Sequence, residues 1–207
     1  MKWTLPNILT VLRLLAAPGV AVMFLYFQRP YADWFALTLF VLAAITDFFD
    51  GYLARLWKQE SKFGAMLDPI ADKAMVVIAI MVITGYSGMN PWLILPATVI
   101  LFREVFVSGL REFLGAKAGL LTVTKLAKWK TTAQMVAIAV LFLGTGLAYL
   151  EDGRPPRAGE GELRTILSPA AMATHAGMAL IWIAALLTAV TGWDYFRKAL
   201  PHLKDDK

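Results

Sequence analysis

Asp47-Phe48-Phe49-Asp50-Gly51-Tyr52-Leu53-Ala54-Arg55, followed after eight residues by Gly64-Ala65-Met66-Leu67-Asp68-Pro69-Ile70-Ala71-Asp72, sets four aspartates inside a strongly apolar part of the chain. Carboxylates are costly in hydrocarbon, so a cluster of them needs a compensating charge, which a divalent cation supplies. Asp47 and Asp50 close an apolar run, Phe35 to Ala54, that is long enough to cross a bilayer. At about 100° per residue, Asp47, Asp50, Gly51, Ala54 and Arg55 share less than half of the helix circumference. Asp68 and Asp72 open the next run, with Pro69 expected as a first helical residue and Asp68 as its cap. Two antiparallel helices would bring two carboxylates from each to one point near a membrane surface. Oxygen donors alone, with no Cys in the chain and no His nearby, favour Mg²⁺ or Mn²⁺ over zinc.

The residues between the acids agree with this reading. Gly51 and Ala54 remove bulk beside the carboxylates, so a phosphate can approach the helix backbone. Arg55 offers a fork-shaped cation suited to phosphate oxygens. Gly64 is expected in a polar turn from Trp57 to Phe63, where it would permit tight reversal or close approach of a ligand.

These eight positions across 26 residues reproduce the signature of the CDP-alcohol phosphotransferases, which join a CDP-linked lipid or alcohol to a second alcohol and release CMP. The resemblance continues in Leu5-Pro6-Asn7-Ile8-Leu9-Thr10 with Arg13, in Leu67 to Lys73, in Arg103-Glu104 with Ser108-Gly109-Leu110-Arg111-Glu112, and in Lys128-Trp129-Lys130-Thr131-Thr132-Ala133-Gln134. It covers roughly residues 3 to 145 and is nearest to the branch that takes glycerol 3-phosphate as acceptor. At Ala127 this chain departs from that branch, which has Gly there. The segment after 150 carries no recognised motif.

The resemblance implies a metal-dependent phosphatidyltransferase of phospholipid biosynthesis, with CDP-diacylglycerol as donor and glycerol 3-phosphate as acceptor. Asp47, Asp50, Asp68 and Asp72 would hold two Mg²⁺ or Mn²⁺ ions, with Asp72 also the base that takes the hydroxyl proton. Gly51, Ala54, Arg55, Gly64, Asn7 and Thr10 would bind the CDP group. The acceptor phosphate needs its own cations, and Arg103, Arg111, Lys128, Lys130 and Arg13 are available. The family also implies a homodimer.

Composition points to the membrane independently. The 207 residues are 58% apolar with a mean hydropathy of +0.61, a length that suits one domain, 1–207. Six apolar runs, about 8–28, 33–55, 69–86, 92–113, 130–150 and 170–193, predict an all-α bundle of six transmembrane helices with both termini on one side. Of the 20 Lys and Arg, only Arg29, Arg154, Arg157 and Arg164 fall on the other side. The positive-inside rule then makes the termini and the aspartates cytoplasmic, and the resemblance implies the cytoplasmic (inner) membrane of a bacterium. The net charge of +5 favours anionic lipid headgroups, and no nucleic-acid patch is patterned in the chain. The lack of Cys excludes disulfides and thiolate catalysis. Residues 1–9 are expected as an interfacial segment, and 151–169, rich in Gly, Pro and charge, as an external loop. Asn7, Thr10 and Arg13 interrupt the first run, against a cleaved signal peptide.

Plainer roles compete at several positions. Asp68 could be only a cap. Arg103, well inside its run, needs either a ligand or an internal partner such as Glu104. Lys128 and Lys130 could be membrane anchors, while Lys117 and Lys125 read as loop charges. His175 and His202 read as bystanders, and the Trp residues as an interfacial belt. Two other functions fit parts of the pattern: a sibling enzyme acting on inositol phosphate, serine or phosphatidylglycerol, and a divalent-cation transporter. A transporter site usually lies near the midplane between repeated halves, whereas these acids lie at one end and no repeat is evident.

Overall fold

Each of the six apolar runs folds as one helix, and polar side chains set where several of them begin. The computed structural model describes residues 4–56, 61–115, 125–152 and 168–202; within these, the side chains at 48, 50–55, 125, 127, 128, 152 and 202 lie outside the description. The helices are α1 (Leu5–Tyr26), α2 (Tyr31–Leu56), α3 (Lys62–Tyr86), α4 (Pro91–Leu114), α5 (Lys125–Asp152) and α6 (Pro169–Ala199), followed by a short 3-10 turn, Leu200–His202. Asn90 caps α4 by accepting from the Trp92 N–H at 3.0 Å, and Ser168 caps α6 by accepting from the Ala171 N–H at 3.2 Å. In both helices a proline follows the cap, where its missing N–H costs nothing.

The start of α3 differs from the expectation. Its cap is Ser61, whose Oγ accepts from the Gly64 N–H at 3.0 Å, so the helix begins seven residues before Pro69. Asp68 is therefore an interior residue and not a cap, and Gly64 lies in the first turn of the helix instead of a loop. The serine outcompetes because it satisfies an orphan N–H of the first turn, while Pro69 is tolerated within α3. Leu5 to Leu9, expected along the interface, form the beginning of α1, and residues 1–3 lie outside the described residues. Of the expected external loop, Glu151 and Asp152 close α5 and Ser168 caps α6, while 153–167 lie outside the described residues.

Among the described residues, four helices are long and apolar enough to cross a membrane: α1, residues 129–151 of α5, and the whole of α4 and α6. The architecture is that of an all-helical, multi-pass membrane protein. Helix α1 packs on both α2 and α3, α5 packs extensively on α6, α4 packs on α6, and α2 meets α5 to join the two groups. Their shared core includes Ala17, Val20, Ala36, Phe40, Ala79, Ile80, Ile138, Phe142, Ile181 and Ala184. Small residues permit the α5–α6 approach: a Cβ on Gly177 would stand 2.8 Å from Leu141 Cγ, and one on Gly144 would stand 2.8 Å from Thr174 Oγ1. Leu12, Leu15, Leu25, Phe35, Phe102, Val105, Leu186 and Val190 point outward, a surface suited to lipid.

At the end where α1 ends and α2 begins, a polar clamp ties four helices together. Asp33 is fully buried, at 0% exposure. Its two oxygens accept from Arg29 Nε at 2.8 Å and Arg29 Nη2 at 2.6 Å, and the same Nη2 donates to the Thr145 carbonyl at 2.9 Å. The Arg29 guanidinium also stands over the rings of Tyr86 and Tyr149, at 5.5 and 5.0 Å, and Tyr86 donates to the Phe24 carbonyl at 2.8 Å. Donating to the Asp33 carboxylate raises the Arg29 pKa despite the opposing effect of burial. Truncating one member of a buried pair strands the other. Asp33→Ala is therefore expected to cost about 3–5 kcal/mol of stability, read as a lower unfolding midpoint in detergent; an unaltered midpoint would show that the clamp is not structural.

Candidate active site

The opposite end of the bundle, where α1, α3 and α5 begin and α2, α4 and α6 end, carries two charged clusters. The first is built around Arg13, whose side chain is only 2% exposed although its partners are about half exposed. Arg13 Nη1 pairs with Asp47 Oδ1 from α2 and, at 2.6 Å, with Asp72 Oδ1 from α3, while Nη2 stands 3.9 Å from Asp68 Oδ1. Thr10, one turn before Arg13, donates to Asp68 Oδ1 at 2.7 Å. The helix register explains the convergence. Arg13, Asp47 and Asp72 lie about 12–15 Å from the helix ends at this side of the bundle, at 1.5 Å per residue.

Asn7 extends this wall toward the helix ends. Its side chain is buried and its Oδ1 accepts from Ser61 Oγ at 2.8 Å, which links the start of α1 to the cap of α3. A Cβ on Gly64 would stand 2.8 Å from Asn7 Oδ1. The glycine is thus needed for close packing of α1 on α3, a different reason from the tight turn expected. Asp50, Gly51, Ala54 and Arg55 belong to α2 by backbone, but their side chains lie outside the described residues, as does that of Lys128 in α5.

The second cluster joins α3, α4, α5 and α6. Glu104 Oε1 accepts from Lys130 Nζ and, at 3.3 Å, from Arg103 Nη1. Lys73 donates to Ser108 Oγ, and the Ser108 hydroxyl donates to the Glu104 carbonyl at 2.5 Å. Arg103 lies over the Tyr195 ring at 5.4 Å, and Arg111, more exposed, stands 6.0 Å from the same ring. Gly192 makes room for this arginine, since a Cβ there would stand 2.9 Å from Arg103 Cγ. The arginine also borders an apolar groove of about 510 Å³ between α4 and α6, with Phe102, Phe106, Trp193 and Phe196. Arg103 Nε is buried with no hydrogen-bond partner among the described residues.

Of the cations expected around an acceptor phosphate, Arg103 and Lys130 share one acid and Arg111 approaches through Tyr195. Arg13 does not join them. It lies among the aspartates, because the deep carboxylates of α2 and α3 are its nearest opposite charges. The internal partner weighed for Arg103 is present as Glu104. Sequence reasoning missed the parts played by Lys73, Ser108, Gly192 and Tyr195; the last two lie where no motif was recognised, and only packing against Arg103 reveals them.

Charge separates cleanly between the clusters. Three carboxylates against Arg13 leave a formal surplus of two negative charges, and Lys73, Arg103 and Lys130 against Glu104 leave two positive ones. Asp72 and Lys73 are consecutive residues of α3, so the clusters adjoin.

Comparison with known proteins identifies the family. The model of the CDP-alcohol phosphatidyltransferase family matches residues 3–190. The chain belongs to that family. A relative from Cereibacter sphaeroides named CDP-diacylglycerol–glycerol-3-phosphate 3-phosphatidyltransferase is 75% identical over 100% of both chains. Proteins with the same name from Rickettsia bellii and Salmonella choleraesuis are 40% and 35% identical, over 93% of both chains and over 99% and 100% respectively.

For this family member the donor chemistry fits a hard divalent cation. Half-exposed carboxylate oxygens from two facing helices, carrying more negative charge than Arg13 neutralises, are suited to Mg²⁺ or Mn²⁺. Among the described residues, no three acidic or His side chains form a ready-made ligand group, and the Arg13 guanidinium lies between the aspartates.

Proposed function

We propose that the chain transfers the phosphatidyl group of CDP-diacylglycerol to glycerol 3-phosphate, giving phosphatidylglycerol phosphate and CMP. The observation that carries this reading is the junction of an acidic and a basic cluster at Asp72 and Lys73, one side suited to a cation-bound diphosphate and the other to a phosphorylated acceptor. Family membership and the names of the full-length relatives support it.

In this mechanism the acceptor's terminal hydroxyl attacks the phosphorus that bears the lipid, and CMP departs with the other phosphate. Asp72 takes the hydroxyl proton. Arg103 and Lys130, with Arg111 and Lys128 toward the helix ends, hold the acceptor's phosphate so that the hydroxyl is aimed across α3 at the donor. Asn7, Thr10, Gly51, Ala54, Arg55 and Gly64 form the side toward the CDP group. A pair of divalent cations held by Asp47, Asp50, Asp68 and Asp72 would neutralise the diphosphate and the charge growing on the departing phosphate. Arg13 keeps Asp47, Asp68 and Asp72 converged by screening their mutual repulsion. All six helices cross the membrane in this proposal. The excess of Lys and Arg at the site end puts that end, with both termini, on the cytoplasmic side of a bacterial inner membrane.

Purified protein should release CMP from CDP-diacylglycerol only when glycerol 3-phosphate and a divalent cation are both supplied. Turnover with inositol phosphate or serine and none with glycerol 3-phosphate would refute the acceptor assignment. Asp72→Asn should lower kcat by at least about 100-fold with donor binding retained; near-normal turnover would remove Asp72 as the base. For Arg103→Ala the apparent KM for glycerol 3-phosphate should rise about 10-fold or more while that for donor stays near its original value, and equal changes in both would argue for a structural role.

A further inference from the structure

Glu104 is an acid held among the cations that the proposed reaction needs for its acceptor, and no step of that reaction uses it. Its side chain is 12% exposed, beside Arg103 at 12% and Lys130 at 7%, so all three charges are largely withdrawn from water. Two cations this close and this desolvated repel each other strongly, and each would turn away toward water if nothing held it. A single carboxylate oxygen, Glu104 Oε1, takes one donor from each.

The inventory of donors shows what that arrangement leaves over. An ammonium has three N–H donors and a guanidinium five, and Glu104 engages one of each. Arg103 Nε remains buried without a partner among the described residues, a state that is costly unless a ligand or water completes it. The guanidinium also lies over the Tyr195 ring, and the missing side chain at Gly192 leaves room for the arginine's stem, which together limit the directions of its remaining donors. The backbone carbonyl of Glu104 accepts from Ser108, which in turn accepts from Lys73 beside Asp72, so this turn of α4 is tied to α3.

We propose that Glu104 is a positioning residue for the acceptor's phosphate: it holds Arg103 and Lys130 at one point, with their spare donors set to receive a phosphate monoester. It touches neither the reacting hydroxyl nor the donor. The charge arithmetic suits the same ligand, since the two positive charges left over match a phosphate dianion. This inference rests on the proposed reading of Arg103 and Lys130 as the acceptor's cations.

The test compares wild-type protein with Glu104→Gln and Glu104→Ala in detergent or nanodiscs, measuring the KM for each substrate, kcat and the unfolding midpoint. Glutamine keeps an oxygen for both cations and alanine keeps none. The acceptor KM should therefore rise modestly in Glu104→Gln, by about 3-fold, and by about 10-fold or more in Glu104→Ala, with the donor KM changed by less than about 2-fold in either. Inorganic phosphate, as a competitor of the acceptor, should weaken in the same order. An acceptor KM that is unmoved in both variants, or donor and acceptor KM rising together in step with a lower midpoint, overturns the proposal. If Glu104→Ala does not fold, Glu104→Gln decides by its acceptor-to-donor ratio alone: a selective rise supports the proposal, and no rise or equal rises overturn it. A wild-type protein that accepts only unphosphorylated alcohols refutes the reading of the site itself, whereas a wild-type protein active on glycerol 3-phosphate with insensitive Glu104 variants refutes this inference alone.

Discussion

The packing of the first three helices depends on one guanidinium. Arg13 is buried where α1 meets both α2 and α3, and it is the only described cation that touches the aspartates of both. Without it, Asp47 and Asp72 would stand near each other with no cation between them, and their repulsion would push apart the helices that carry them. The pair contacts therefore do more than stabilise; they set the distance between two walls. Thr10 and Asn7 repeat the device along the same face of α1, with Thr10 bonded to Asp68 and Asn7 to the Ser61 cap of α3. One stripe of polar residues on an otherwise apolar helix thus aligns the acids before any ligand arrives.

Glu104 among Lys73, Arg103 and Lys130 is the charge-reversed counterpart of Arg13 among the aspartates. Each cluster holds one opposite charge, enough to make burial tolerable and too few to neutralise it. The remaining imbalance is what a cation on one side and a phosphate on the other would relieve. At the far end of the bundle the charges are balanced: Arg29 and Asp33 cancel, and the spare donor of Arg29 is taken by a carbonyl. The balanced pair serves as a clamp, and the imbalanced clusters are where the proposed ligands would bind.

Much of this was legible in the chain before any coordinates. The six helices follow from the apolar runs, and the spacing of Asp47, Asp68 and Asp72 puts them at one end of the bundle; their convergence, expected from α2 packing directly on α3, instead comes through α1, on which both helices pack. The failures have local causes. Pro69 is a good first helical residue, and that preference hid the stronger signal of Ser61, whose side chain caps the Gly64 N–H. Arg13 was grouped with the acceptor cations because sequence shows sign and depth but not which acids stand opposite. Gly192 and Tyr195 carry no signature of their own; their importance comes from the volume and the ring face they present to an arginine on another helix, which only three-dimensional packing creates.

Helix α3 carries one residue of each cluster at adjacent positions, Asp72 bonded to Arg13 and Lys73 to Ser108. A membrane helix tilts as the lipid around it thickens or thins. Because both attachments ride on the same turn of the same rod, such tilting would move Asp72 and Lys73 as a unit. If α3 spans the bilayer and the clusters bind as proposed, the spacing between the two bound molecules would in this way be insulated from the elasticity of the surrounding lipid.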